Sequence, residues 1–233
     1  ELLKIHNADQ VAVMKFNEKF ASMSPDDFVL NVLVKELHAS TVVVGKNFTY
    51  GHKAAGNVDT LIKSGILHNF TVDVQELKSD SDVISSSRIR ALVSEGRVEE
   101  ARELLSRPHR LDGVVIHGEK RGREIGYPTA NLGLSGNWTI PADGIYAGWL
   151  EVDNQKWPAA ISIGTNPTFE GIRARQIEAY ALDQEGLDLY GKNARFVFGW
   201  RLRETIKFNG LEPLLEQMKK DCDQARELTR SAN

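Results

Sequence analysis

From position 118 to 131 the sequence reads Gly-Glu-Lys-Arg-Gly-Arg-Glu-Ile-Gly-Tyr-Pro-Thr-Ala-Asn, so Gly118, Gly122 and Gly126 are interleaved with Lys120, Arg121 and Arg123. Glycine lets the backbone approach a ligand closely and adopt positive φ, which allows successive N–H groups to cradle phosphate oxygens. The basic side chains can add charge-assisted hydrogen bonds to the same oxygens. The pattern has neither the Gly-Lys-Ser/Thr of a Walker A loop nor a dinucleotide fingerprint. On residue types alone, a phosphate site and a basic hairpin loop are equally good readings. Pro128 biases Tyr127 toward an extended conformation, and on an extended segment Thr129 and Asn131 point to the same face. Their hydroxyl and amide oxygens are hard donors of the kind Mg²⁺ takes. The plainer alternative is that both groups only hold a turn together.

Two other groups of residues carry chemistry. In Arg175-Gln176-Ile177-Glu178-Ala179-Tyr180-Ala181, the apolar residues 177, 179 and 181 share one strand face and Glu178 takes the other. Spacing alone makes Glu178 a solvent-facing carboxylate. In Ile84-Ser85-Ser86-Ser87-Arg88-Ile89-Arg90, serines run into a helix start followed by two arginines. That arrangement suits a triphosphate through N–H groups and charge, and equally suits simple N-capping. Cys222 is the single cysteine, so it forms no internal disulfide, which fits a reducing cytoplasm. It lies on an apolar helical stripe, which favours a buried packing role over a nucleophile.

The elements that must hold these groups divide in two. The first half alternates strand and helix patterns. Residues 11–16 read as a buried strand, and residues 41–45 as a second. Between them, Ser24-Pro25-Asp26-Asp27 reads as N-cap, Pro at the first helical position and acidic first turn. The helix that follows is expected to bury Phe28, Val29, Val32, Leu33 and Leu37. A helix near residues 58–67 and a strand near 70–77 complete units that imply a parallel sheet flanked by helices. Residues 79–87 read as a polar loop, and helices follow over residues 88–93 and 99–105. Beyond Pro108 come short β-type runs at residues 114–116, 145–152, 159–163, 177–182 and 195–200, which suggest a closed antiparallel barrel. A final amphipathic helix carries Leu211, Leu214, Leu215, Met218, Cys222, Ala225 and Leu228 on one stripe. The domain boundary is placed at 106/107.

Composition sets the outer limits. The chain has 233 residues, 26% of them charged, and a net charge of −3. Disorder and a membrane span are excluded, and no global basic field draws the chain to nucleic acid or anionic lipid. Residues 1–6 have neither the basic start nor the apolar core of a signal peptide. A nucleic-acid-binding barrel would need a basic face with stacking aromatics, and no such cluster is visible.

Residues 126–131, together with the glycine-rich loop before them, resemble the signature of riboflavin kinases. The nearest likeness is to the C-terminal module of the bacterial bifunctional riboflavin kinase/FAD synthetase. It continues through Pro141-Ala142-Asp143-Gly144-Ile145-Tyr146, Ile163-Gly164-Thr165-Asn166-Pro167-Thr168-Phe169 and Asp188-Leu189-Tyr190-Gly191. The resemblance implies a six-stranded antiparallel β-barrel with a C-terminal helix over residues 107–233. It implies ATP-dependent phosphorylation of riboflavin to FMN with Mg²⁺. Carried over, Thr129 and Asn131 sit at Mg²⁺ and the ATP phosphates. Gly118, Lys120, Gly122, Arg123 and Gly126 cover the nucleotide, and Glu178 is the catalytic base. Arg203, Glu204 and Phe208 are candidates for the flavin side, with strand-end ion pairs and helix packing as the alternative.

Residues 1–106 resemble the same family's nucleotidyltransferase module, which implies an α/β Rossmann-like fold that adenylylates FMN to FAD. The likeness rests on residues 44–56, with Asn47 and His52. It rests also on the Ile-Ser-Ser-Thr-x-Ile-Arg motif, met here by Ser85, Ser86, Ser87 and Arg90, with Ser87 keeping the hydroxyl of the Thr position. The family's His-x-Gly-His motif is not formed by the histidines at 6, 38, 52, 68, 109 and 117. Glu1 reads as opening within a helix, so the module is expected to be N-terminally incomplete, and the chain to phosphorylate riboflavin but adenylylate little. A non-catalytic flavin- or nucleotide-binding regulator on the same barrel is the alternative function.

Overall fold

A computed structural model describes residues 2–76, 84–118, 121–134, 136–165 and 175–232. Lys120, most of the polar 79–87 segment and residues 166–169 of the third family motif lie outside the described residues. The chain forms two compact units, Glu1–Val83 and Ile84–Asn233.

The first unit opens with two single-turn helices, α1 (Leu2–Ile5) and α2 (Glu18–Ala21). Helix α3 (Pro25–Phe28) starts as its sequence requires: the Ser24 hydroxyl accepts the Asp27 N–H, and Pro25 occupies the first turn. It runs on as a π-helix, Val29–Glu36, and the Leu37 N–H donates to the Val32 carbonyl at 3.0 Å. Five-residue bonding widens the turn, so the apolar stripe no longer keeps its α-helical phase. Val29, Val32 and Leu33 are buried as expected, but Leu37 is 50% exposed. Strand β1 (Thr41–Gly45) pairs in parallel with β4 (Thr71–Gln75), from Thr41 opposite Thr71 to Gly45 opposite Gln75. Between them lie the short hairpin β2 (Thr49–Tyr50) and β3 (Gly56–Asn57), and helix α4 (Val58–His68). An Asn57–Thr60 capping box starts α4, and left-handed Asn69 ends it.

Two expectations for this unit do not hold. Residues 11–16 form no strand: Val13 is 92% and Phe16 77% exposed. An apolar run becomes a strand only beside a ladder that accepts it, and among the described residues none pairs with this one. β1 is a strand but not a buried one, with Val43 60% exposed.

The second unit begins with helices α5 (Ser86–Ser94) and α6 (Val98–Leu105). Six strands follow: β5 (His109–Ile116), β6 (Ala130–Leu134), β7 (Gly144–Val152), β8 (Gln155–Gly164), β9 (Gln176–Ala181) and β10 (Asn193–Arg203). They close antiparallel in the order β10-β5-β6-β9-β8-β7, around Leu111, Val115, Tyr146, Leu150, Ile161, Phe196 and Phe198. β6 is the strand that the apolar runs did not reveal, since its five residues include Asn131 and Gly133. Helix α7 (Arg121–Glu124) sits in the loop between β5 and β6. Helix α8 (Leu211–Arg230) lies on the outside of the barrel and buries Cys222 and Ala225, while Leu211 at its start is 50% exposed. The Arg203 guanidinium clasps the buried carboxylate of Asp221 at 2.6 Å, and Arg226 reaches Asp183 at 2.8 Å.

The compact division falls at 83/84, ahead of the 106/107 boundary drawn from the sequence. Helix α6 explains the difference. Its Val98 is fully buried in the barrel's own core cluster, and the Glu99 carboxylate accepts the Arg201 N–H at 3.0 Å.

Candidate active site

Antiparallel pairing of β6 with β9 sets Ala130 opposite Ala179 and Asn131 opposite Glu178. Ile177, Ala179 and Ala181 point into the barrel core, so Glu178 stands on the outer face, as its alternation requires. The same register sets Ser162 of β8 on the other side of Glu178. Thr129, just before β6, donates its hydroxyl to Glu178 Oε2 at 3.4 Å. That donation leaves the Thr129 oxygen lone pairs free to accept or to ligate. Asn131 is buried beside them, and a Cβ at Gly118 would collide with its side-chain amide. Position 118 must therefore be glycine for the loop to leave β5 so close to Asn131.

The loop turns back through α7. The Tyr127 N–H donates to the Gly122 carbonyl at 2.7 Å, and Gly126 has φ +86°, a conformation that suits glycine. The exposed Arg123 lines a cleft of about 680 Å³ at this end of the barrel. Gly126, Pro128 and Thr129 form one wall and residues 184–190 the opposite one, with core residues Val115, Leu150 and Ala179 at its floor. A small recess beside it joins Gly118, Arg123, Thr129, Asn131 and Tyr190.

The structure thus brings Gly118, Gly122, Arg123, Gly126, Thr129, Asn131 and Glu178 to one end of the barrel. Donor chemistry here fits Mg²⁺. Thr129, Asn131 and Glu178 offer hard oxygens, and Mg²⁺ typically takes one or two protein oxygens and completes its shell from phosphates and water. Sequence reasoning did not single out the wall of residues 184–190, although Tyr190 stood within a quoted motif. Tyr190 packs on His117 with ring centroids 4.0 Å apart and planes tilted by 33°. An aromatic in a polar loop before Gly191, at φ +73°, was the available signal.

Arg203, Glu204 and Phe208 do not line this cleft. The Arg203 guanidinium is held by Asp221 and the Glu204 carbonyl, with its carbon 5.8 Å from the centre of the Phe208 ring. This is the strand-end arrangement that their spacing allowed.

The nucleotidyltransferase candidates fall in both units. In the first, Asn47 is exposed in the turn after β1. The His52 ring is 3.1 Å from the Ala21 carbonyl, which ties the loop to the end of α2. In the second, Ser85 N-caps α5 by accepting the Arg88 N–H, and Arg90 donates to the Ser87 hydroxyl at 3.3 Å. Ser86 opens the helix.

Comparison with known proteins decides between the readings. A family model described as riboflavin kinase matches residues 105–229, and one described as FAD synthetase matches residues 1–88. The chain belongs to the bifunctional riboflavin kinase/FMN adenylyltransferase family. The bifunctional riboflavin kinase/FMN adenylyltransferase of Listeria monocytogenes is 40% identical over 220 residues, 94% of this chain and 69% of that protein. The Bacillus subtilis protein of the same name is 36% identical over 231 residues, 95% of this chain and 72% of its own. A solved structure named as a macrolide-efflux protein from Streptococcus pneumoniae is 32% identical with a TM-score of 0.84, covering 96% of this chain and 72% of its own. Among the described residues no helix is long and apolar enough to cross a membrane. Membership makes the protein an enzyme with kinase and nucleotidyltransferase chemistry, and the non-catalytic alternative is set aside.

Proposed function

We propose that the barrel transfers the γ-phosphoryl group of ATP to the terminal ribityl hydroxyl of riboflavin at the 118–131 loop and Glu178. The carrying observation is the cross-strand placement of Glu178 against Asn131 and Thr129, with Thr129 on the wall of the cleft and Asn131 in the recess beside it. Glu178 accepts the proton of the attacking hydroxyl and holds it in line. Thr129 and Asn131 hold Mg²⁺ through their side-chain oxygens. When bound, Mg²⁺ neutralises charge on the phosphates. Gly118, Gly122 and Gly126 bring backbone N–H groups to the nucleotide, and Lys120 and Arg123 add positive charge.

In this reading residues 107–233 form the catalytic body of the kinase domain, with α6 packed against it as part of the same unit, and the sequence ahead of helices α5 and α6 belongs to the adenylyltransferase domain that converts FMN to FAD. The parallel β1–β4 pair with α4 on its crossover supports a Rossmann-like type for the latter. Asn47 and His52 in the first unit and, separately, Ser85, Ser86, Ser87 and Arg90 at the start of α5 are the candidate nucleotide-contacting groups of this activity. The single cysteine supports a cytoplasmic location.

The experiment is Glu178→Gln, assayed for FMN formation from riboflavin, ATP and Mg²⁺. Turnover is expected to fall by roughly 10²-fold or more with the fold retained by circular dichroism. Near-normal turnover would remove Glu178 from the mechanism.

A further inference from the structure

The loop over the nucleotide is useful only if both of its ends are held, since small displacements of positioning groups cost large factors in rate. At its first end Gly118 runs close against the buried Asn131 side chain. Its second end, Tyr127, precedes the Pro128-Thr129 step into β6. The Tyr127 ring leaves the loop and packs on the outer face of the barrel, in the cluster formed by Leu182, Cys222 and Ala225. It meets Tyr180 edge to face, with ring centroids 5.2 Å apart and planes at 66°. The β6–β9 register makes this meaningful. Tyr127 contacts Tyr180 on the same outward face on which Thr129 contacts Glu178, two residues further along each chain in opposite directions. Burial raises the pKa of both phenols, as expected for rings held in an apolar seat.

We propose that Tyr127 is a positioning residue, a rivet whose ring locks the end of the nucleotide loop to Tyr180 and helix α8 and so sets Thr129 against Glu178. This inference rests on the kinase site proposed above. The ring does the holding, so the hydroxyl is dispensable.

The test is steady-state kinetics of riboflavin phosphorylation by the full chain carrying Tyr127→Ala, Tyr127→Leu, Tyr127→Phe or Thr129→Val. Tyr127→Ala should raise KM for ATP by about 10-fold or more and leave KM for riboflavin within about twofold. Tyr127→Phe should restore wild-type values. Tyr127→Leu, which keeps apolar volume but loses the ring contact, should show the ATP effect even if the alanine variant does not fold. An unchanged KM for ATP in both the alanine and leucine variants overturns the inference, as does a phenylalanine variant as impaired as leucine. Thr129→Val separates the two levels: if it leaves kcat/KM for ATP intact, the kinase-site reading fails. If it lowers kcat/KM while the Tyr127 variants do nothing, only the rivet fails.

Discussion

His109 shows how one buried side chain couples the barrel to pH. Its ring sits in β5 at the end of the barrel away from the cleft and donates from Nε2 to the Thr139 carbonyl at 2.9 Å. Burial pushes its pKa down to about 4 and the Arg107 charge adds to that, while the hydrogen bond to Thr139 opposes both. The unfolded chain titrates near 6.5. The contribution of neutral His109 is therefore fully present above about pH 6.5, and it is lost as the pH falls from there through 4. The loss amounts to at most about 3 kcal/mol. Urea midpoints at pH 7.5 and 4.5 should differ clearly for the wild type and by less for His109→Gln, which keeps a donor toward Thr139. An equal pH dependence in both would show that other groups dominate. Cys222 illustrates the opposite sign. Burial, with Asp221 adding to it, raises its thiol to about 12, as its place on the apolar stripe foretold.

At the scale of elements, α6 is the informative case. Its periodicity was visible in the sequence, but periodicity says only that one face is apolar, not which surface covers it. Pro108 then made a natural punctuation mark, and the boundary was drawn after the helix. Because Val98 is fully buried among barrel residues, Val98→Ala should destabilise the Ile84–Asn233 unit by about 2 kcal/mol, read from urea midpoints. A change of a few tenths would mean that α6 is merely apposed to the barrel. β6 makes the complementary point. Strand detection depends on apolar alternation, and a strand that carries a functional Asn beside glycines gives up that signal. The π-helical turns at 29–36 similarly changed the phase of a correctly located helix and left Leu37 outside the core.

At the scale of the molecule, each unit has its own core: Val29, Leu33, Tyr50, Leu61 and Phe70 in the first, and the barrel interior in the second. Trp138, Trp149, Trp157 and Trp200 all belong to the second unit, so tryptophan fluorescence reports its unfolding alone. ADP with riboflavin at about 100 times their dissociation constants should stabilise that transition by about 2.7 kcal/mol per site, seen as a rise in its midpoint. No shift would place ligand binding outside this unit. The sequence by itself determined the division into an α/β part and a β-barrel, the glycine-rich loop, Thr129, Asn131 and the outward face of Glu178. These are local properties, set by turn chemistry, capping and period-two alternation, and they do not depend on which strands meet. Tertiary structure alone decided that Asn131 lies opposite Glu178, that Tyr127 seats beneath α8, and that Arg203 is committed to Asp221. It decided also that residues 11–16 stay unpaired and that α6 belongs with the barrel. Such outcomes follow from strand order, register and burial between residues far apart in the chain, which no local spacing encodes.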